Sequence, residues 1–331
     1  MSWLNHVAKS CWKDRLMKCP KPVFSLTVSL IQTYLDCPFK FYLEYVRRLS
    51  PKVEPTYFTW GRIWHEVVSN LQHDKLPDET VEDFREQIEQ NEHLKTNDIA
   101  VYEKLFNLVP YVFDAYLLRW SKLDRSYETI IAEEEFEIPL WEGQRQTYVF
   151  RGKIDRIVRD VRDGKIYAWE IKTPGQTGPS YWRQLLLDKQ IKSYLCAIQH
   201  AIGYQTNSVM YEVYQKPSPQ ERAVRDSSIS PEAFAERFGT KYVLENEKYL
   251  QRQIINFEQW EVDQQWRELQ QLAQQIDWAM ENTIYPKHHP KNRIGSCQFQ
   301  QLCELGEENP ASMDKLIERP SHQHNPELTN A

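Results

Sequence analysis

Glycine is scarce, with 10 residues in a chain of 331 against 18 prolines. That scarcity argues against glycine-rich phosphate cradles. No GxxxxGK(S/T) segment occurs, so the chain carries no P-loop motor of its own. No run of about 18 apolar residues occurs either, so no membrane-spanning helix and no membrane partner are expected. Met1 to Lys21 lacks an apolar signal core; instead Leu4, Val7, Ala8, Cys11, Trp12 and Leu16 recur at helical spacing among lysines, the pattern of an amphipathic helix. An intracellular, cytoplasmic protein is the expectation. A basic excess is missing too: 41 Lys and Arg against 47 Asp and Glu leave a formal charge of −6, which taken alone disfavours a nucleic-acid binder. Six cysteines, Cys11, Cys19, Cys37, Cys196, Cys297 and Cys303, without a secretion signal suggest reduced thiols or a metal site instead of a disulfide framework.

What is present is a globular composition: 41% hydrophobic residues, 13% aromatic and 27% charged, enough to bury a core in one elaborated domain or two intimately packed ones. Ser25 or Thr27 is placed to cap a helix from about Ser29 to Val46, interrupted at Pro38. Trp60 to Val68 reads as a helix with Ile63, Val67 and Val68 on one face, and two more helices are expected near Thr80–Glu92 and Ala100–Leu123. Asp74 to Asp98 holds nine Asp and Glu against three Lys and Arg, a solvated helical face. The period then changes. Glu133–Leu140, Gln146–Val158 and Lys165–Lys172 alternate like strands, with Arg162-Asp163-Gly164 as a turn. A helix follows over Tyr181–Ile202 and a strand over Asn207–Gln215, ending at the breaker cluster Lys216-Pro217-Ser218-Pro219. Helices resume over Pro231–Arg237 and along a glutamine-rich stretch, Asn246–Asn282. Tyr285–Leu305 is loop-like. The expected organisation is a helical region over 1–130, a core with a cysteine segment over 131–306 packed with it as one unit, and a disordered tail over 307–331.

Strand alternation puts Glu170 and Lys172 on one face, about 7 Å apart at the backbone. Asp155 lies on the preceding strand of the same hairpin, so a second carboxylate can approach Glu170. Two such carboxylates are the hard oxygen ligands that Mg²⁺ or Mn²⁺ prefers. Around them stand, in order, Ser25-Leu26-Thr27 to Tyr34, Cys37-Pro38-Phe39-Lys40-Phe41-Tyr42, Gly61-Arg62-Ile63-Trp64-His65, Gly152-Lys153-Ile154-Asp155-Arg156, Glu170-Ile171-Lys172-Thr173 and Gln190-Ile191-Lys192-Ser193-Tyr194. In these six pieces the sequence resembles the RecB-type branch of the PD-(D/E)XK nuclease superfamily, which includes the AddB nuclease domain and the exonucleases of CRISPR adaptation. The resemblance spans roughly Ser25 to Cys303. It implies an α/β (α+β) restriction-endonuclease-like core, a mixed sheet flanked by helices with a helical N-terminal elaboration.

The resemblance further implies that His65, Asp155, Glu170 and the carbonyl of Ile171 hold a divalent metal, and that Lys172 orients or helps deprotonate the attacking water. It gives Gln190 a hydrogen bond near the metal or the DNA backbone, and Tyr194 a contact with a base or the active-site strand. The name-giving proline is Ile154 here, a departure that touches no ligand. Many relatives join a cysteine of the Cys-Pro-x-x-Phe piece to three near the C-terminus in a 4Fe–4S iron–sulfur cluster. Cys37, Cys297 and Cys303 match, but Ile294 stands where the other cysteine is expected. Either His288, His289, Cys11, Cys19 or Cys196 substitutes, or the cluster is lost and the thiols bind zinc or stay free.

The function expected is a metal-dependent DNA nuclease, an exonuclease on DNA ends or single strands in recombination, repair or phage DNA processing. A separate helicase or recombination protein is the expected partner on duplex substrates. The competing readings are a catalytically silent DNA-binding or structural subunit and an RNA-processing nuclease. Locally the charge turns over: nine Lys and Arg against three Asp and Glu in Met1–Lys52, and ten against five in Arg151–Lys192. A basic channel at the active site inside an acidic shell is the corresponding expectation.

Overall fold

The structure is a computed structural model that describes residues 21–52, 77–90, 99–215, 226–288, 297–306, 309–314 and 316–319. The first amphipathic segment, the His65 helix and the Lys216–Pro219 breaker therefore lie outside the described residues. The described strands are β1 (Val23–Leu26), β2 (Leu49–Pro51), β3 (Tyr127–Glu142), β4 (Thr147–Asp160), β5 (Ile166–Lys172), β6 (Ser208–Tyr214), β7 (Leu250–Asn256) and β8 (Leu316–Glu318). The principal helices are α1 (Val28–Asp36), α2 (Pro77–Gln90), α3 (Ile99–Asp124), α4 (Pro179–Leu185), α5 (Lys189–Ala197), α6 (Pro231–Leu244), α7 (Gln259–Asn282) and α8 (Gln300–Leu305).

Six strands form one mixed sheet in the order β1-β4-β5-β6-β7, with β3 pairing β4. β3, β4 and β5 make the antiparallel meander that their alternation predicts, and β6 runs parallel to β5. β1 and β5 share the edge of β4 opposite β3: β1 lies against Thr147–Phe150 and β5 against Arg156–Arg159. The segment Arg151–Asp155 thus runs between the C-terminal ends of β1 and β5, a gap the sheet does not fill.

The two faces carry separate cores. Ala168 faces a cluster with Leu26, Phe41, Phe150, Ile157, Leu195 and Ile276, whereas Tyr167, Trp169 and Ile171 face one with Val109, Val112, Phe234 and Phe238. β5 is thereby buried on both sides, as a near-continuous apolar strand should be. Each fully buried Phe or Leu here contributes about 1.5–3 kcal/mol. A glutamate, Glu170, sits in the middle of this strand.

The helix expected from Ser29 is interrupted at the proline as its sequence implies: α1 ends at Asp36 and Pro38 opens a short turn that runs into a π-helical turn, Tyr42–Val46; of the two expected caps it is Thr27 that accepts from Leu30 N, at 3.2 Å. Other expectations change. The helix expected over Tyr181–Ile202 breaks at Leu186–Asp188, because Asp188 caps α5 by accepting from Gln190 N at 2.7 Å. The glutamine-rich stretch is not one helix: Leu250–Asn256 pairs antiparallel with β6, and α7 starts only at the reciprocal Glu258–Glu261 capping box. A polar edge strand carries little periodic signal, and pairing with β6 overrides its helical composition. Beyond Gly306, where disorder was expected, Pro310–Met313 forms a turn and β8 pairs with β2. Leu316 there joins Leu43, Leu49, Phe299 and Leu302 in a small satellite core.

Candidate active site

Asp155 and Glu170 meet because the hairpin register brings them together: Arg156 pairs with Trp169, so the next position on each strand is Asp155 and Glu170. The inward-facing set on β4 changes parity at this point, from Tyr148, Phe150 and Ile154 to Ile157. Opposite Asp155 on β3 stands Glu133, a non-glycine residue at φ +52°, with its neighbours Ala132 and Glu134 paired to Arg156 and Ile154. Positive φ in a bulky residue is a strained conformation that clusters at functional sites.

Glu170 is 3% exposed. Lys172 Nζ lies 2.6 Å from Glu170 Oε1 and donates to Gln190 Oε1 at 2.9 Å, and Gln190 Nε2 in turn donates to Glu170 Oε1 at 3.1 Å. Gln190 Nε2 also lies 3.2 Å from the Tyr194 hydroxyl. Gln190 therefore ties three of the expected site residues into one network, with Asp188 fixing the helix start that presents it. Asp155, half-buried, accepts from the backbone N–H of Ile171 at 3.3 Å. That bond sets the carboxylate against Ile171 of β5, the residue whose carbonyl the resemblance implicates.

Burial pushes the Asp155 carboxyl up to about 6 against the pull of Lys172, and the Glu133 carboxylate adds to the rise. Burial acts the other way on Lys172, but Glu170 and Asp155 outweigh it and hold the ammonium well above the ordinary lysine range. Tyr181 of α4 closes one side; burial raises its phenol, and it feels the charges of Lys172, Asp188 and Glu170. The donor set suits a hard divalent cation: two carboxylates on adjacent strands, largely withdrawn from water and sharing one ammonium. Among the described residues no group of three His, Cys, Asp or Glu is gathered to hold a metal. The third side chain expected there, His65, lies outside the described residues.

Asp188, Glu133 and Tyr181 were not singled out from the sequence. Asp188 was legible as an N-cap before Lys189, had the helix not been run through it. Glu133 is legible only from its partner across the hairpin.

The cysteines gather at the satellite core. Cys37, Cys297 and Cys303 are half-buried there, and the Cys303 thiol, raised by burial, feels Lys287, Cys297 and Cys37. Cys37 Sγ accepts from Lys40 N at 3.4 Å and from His288 N at 3.5 Å, and His288 Nδ1 lies 3.1 Å from the Asp36 carbonyl. The Sγ thus serves as a helix cap, and the expected iron–sulfur cluster finds no support in this arrangement. His289 and Ile294, like Cys11 and Cys19, fall outside the described residues. Cys196 is buried elsewhere, donating to the Val262 carbonyl at 3.2 Å, its thiol pushed by burial up to about 12.

Of the two basic stretches, Met1–Lys52 lies in part outside the described residues, and in Arg151–Lys192 most of the cations are ion-paired. Arg151 pairs with Glu135, Lys153 with Glu133, Arg159 with Glu128, Arg162 with Asp160, Lys165 with Asp163, Lys189 with Glu268 and Lys192 with Glu261. Most of these acids come from outside the basic stretch, so the local excess is cancelled by folding.

No curated protein matches the chain. Residues 25–304 match the model of the PD-(D/E)XK nuclease superfamily, a span that begins within β1 and contains the β4–β5 hairpin with Asp155, Glu170 and Lys172, and the Gln190 helix. With the mixed sheet and the hairpin carboxylates agreeing with that match, the chain belongs to the PD-(D/E)XK nuclease superfamily.

Proposed function

We propose that the protein is a Mg²⁺- or Mn²⁺-dependent deoxyribonuclease of the RecB/AddB type, an exonuclease acting on DNA ends or single strands in recombination, repair or phage DNA processing. The observation that carries this reading is the Glu170–Lys172–Gln190 contact set beside Asp155. His65, Asp155, Glu170 and the Ile171 carbonyl are the residues that would hold the metal. A divalent ion bound there supplies Lewis acidity to the phosphoryl oxygen and lowers the pKa of water. Lys172, held protonated by the two carboxylates, offsets phosphate charge and orients the attacking water. Gln190 keeps the Lys172 ammonium and the Glu170 carboxylate in register, so that neither swings away while a strand binds. Tyr194, at the far end of the same bond chain, limits the rotation of Gln190. Because the chain has no P-loop, extended duplex digestion requires a separate helicase or frayed ends.

The test is cleavage of end-labelled single- and double-stranded DNA with Mg²⁺ or Mn²⁺. Lys172→Ala, Asp155→Asn and Glu170→Gln are expected to abolish cleavage in folded protein; undiminished cleavage by Lys172→Ala, or by both carboxylate variants, overturns the assignment. Matched RNA strands in the same assay separate the ribonuclease reading.

A further inference from the structure

α7 packs on α5, the helix that presents Gln190 to the candidate active site, and continues beyond its N-terminus. Glu268 on α7 is ion-paired at 2.9 Å with Lys189, the neighbour of Gln190. Gln271 lies three residues further on, about 4.5 Å along the helix axis. From there Gln271, Gln274, Gln275 and Trp278 line one wall of an open groove of about 360 Å³, and Tyr34 of α1 forms the other. Arg267 stands one turn before Gln271 on the same face.

The chemistry of this groove is unusual for an acidic chain. Leu269 to Ile276 contains no charged residue, and the groove-facing side chains are three amides and two aromatics. Trp278 is 56% exposed although it is a large, mostly apolar ring. Tyr34 is held in place: its ring lies edge-on to Phe41 at 5.3 Å between centroids, and its hydroxyl donates to the Gln275 carbonyl at 3.4 Å. Flat rings with primary amides between them suit a planar heteroaromatic ligand, which stacks on indole or phenol and exchanges paired hydrogen bonds with glutamine. The absence of carboxylates along the wall, next to the Arg267 guanidinium, favours a ligand carrying phosphate.

We propose that the groove between Tyr34 and α7, lined by Gln271, Gln274, Gln275 and Trp278 and flanked by Arg267, binds the unpaired bases of a single DNA strand whose scissile phosphate lies at the Asp155–Glu170–Lys172 site. The inference rests on the nuclease reading and extends it: base stacking in the groove adds affinity for the strand that the cations of Arg151–Lys192, most of them ion-paired, supply less of.

The experiment measures fluorescence anisotropy of a labelled twelve-nucleotide oligo-dT and of the matching duplex, with Ca²⁺ present to prevent cleavage. It runs on wild type, Trp278→Ala and Gln274→Glu. Hydrolysis of bis(p-nitrophenyl) phosphate with Mn²⁺ runs in parallel, since that substrate is too short to reach the groove. Trp278→Ala is expected to weaken oligo-dT binding about 5- to 100-fold, Gln274→Glu to weaken it by repulsion, and both to leave bis(p-nitrophenyl) phosphate turnover unchanged. Unchanged oligo-dT affinity in both variants overturns the proposal and leaves the groove to a protein partner. Equal loss on duplex overturns it as well, because paired bases cannot stack on the rings. Failure of wild type to hydrolyse bis(p-nitrophenyl) phosphate counts instead against the nuclease reading, and oligo-dT affinity that still depends on Trp278 then upholds the groove as a base-binding site.

Discussion

Replacing Arg252 by alanine is expected to destabilise the protein strongly, although the residue lies on the face of the sheet opposite the carboxylate pair. Glu212 on β6 is fully buried. It accepts from Trp169 Nε1 at 2.8 Å and from Arg252 at 2.9 Å, and Tyr214 donates to its other oxygen. Arg252 also pairs with Asp124 at the end of α3 and lies between the rings of Trp120 and Trp169, 4.4 and 4.3 Å from their centroids. Burial opposes the charge on Arg252, but Glu212 and Asp124 outweigh it and keep the guanidinium protonated. Arg252→Ala strands the Glu212 carboxylate among apolar side chains and removes two cation–π contacts, so the cost is about 3–5 kcal/mol. At about 2 cal/mol/K per residue of unfolding entropy, that lowers Tm by about 4–7 °C. Differential scanning calorimetry and urea unfolding measure it. Adding Glu212→Gln to Arg252→Ala removes the stranded charge and recovers more than about 1 kcal/mol, so the two changes are non-additive. A loss below about 1 kcal/mol, or strict additivity, refutes the claim that the pair is electrostatically coupled in a dry interior.

Gln190→Ala, which cuts the bonds to Lys172, Glu170 and Tyr194 without creating a buried vacancy charge, is expected to lower cleavage about 10- to 100-fold with an unchanged circular dichroism spectrum, as partners that orient ligands typically do. Wild-type turnover in that variant rejects the bridging role. In metal-free protein, the folded Asp155 carboxyl near 6 lies above its unfolded value of 3.8, so its contribution is fully present below about pH 4 and is lost as pH rises through 6. Asp155→Asn is therefore expected to stabilise the metal-free protein at pH 7.5, by at most about 3 kcal/mol before solvent screening of a half-buried group reduces it. Chemical unfolding in EDTA at pH 4 and pH 7.5 checks the sign, and a variant that is less stable at the higher pH contradicts it. Gly239→Ala would place a Cβ 2.2 Å from Tyr111 Cγ where α6 crosses α3, and is expected to cost about 1–3 kcal/mol in the same unfolding measurements.

The legible parts of the fold are those whose residues signal locally. The β3–β5 meander follows from alternation and the Arg162-Asp163-Gly164 turn, and α3 and α6 from apolar periodicity. What could not be read depends on partners far along the chain. β7 is a polar edge strand that exists because β6 offers it a ladder, and β2 and β8 are three-residue strands 265 positions apart that exist only because they pair. β1 is short for the same reason, yet its parallel placement on β4 leaves the gap beside Asp155. In the site, the Glu170-x-Lys172 spacing and the i, i+4 relation of Gln190 to Tyr194 predicted which side chains share faces. The hydrogen bonds that join the two faces did not follow from either spacing.

Charge is where sequence and fold diverge most usefully. A count along Arg151–Lys192 suggests a basic surface, but the β3–β4 hairpin sets Arg159 directly opposite Glu128 and brings Arg151 and Lys153 diagonally onto Glu135 and Glu133, and α7 sets glutamates against Lys189 and Lys192. Cross-strand ion pairs at exposed positions contribute only a few tenths of a kcal/mol each, so they are weak as staples. Their larger effect is on the field: each removes a free cation from the neighbourhood of the site. At the site itself two carboxylates, Asp155 and Glu170, stand with the Lys172 ammonium in a pocket largely withdrawn from water, and burial raises the Asp155 carboxyl against the pull of Lys172. A hard divalent cation bound between the two carboxylates would offset that cost of burial, which is why the pair suits a metal better than a second ammonium.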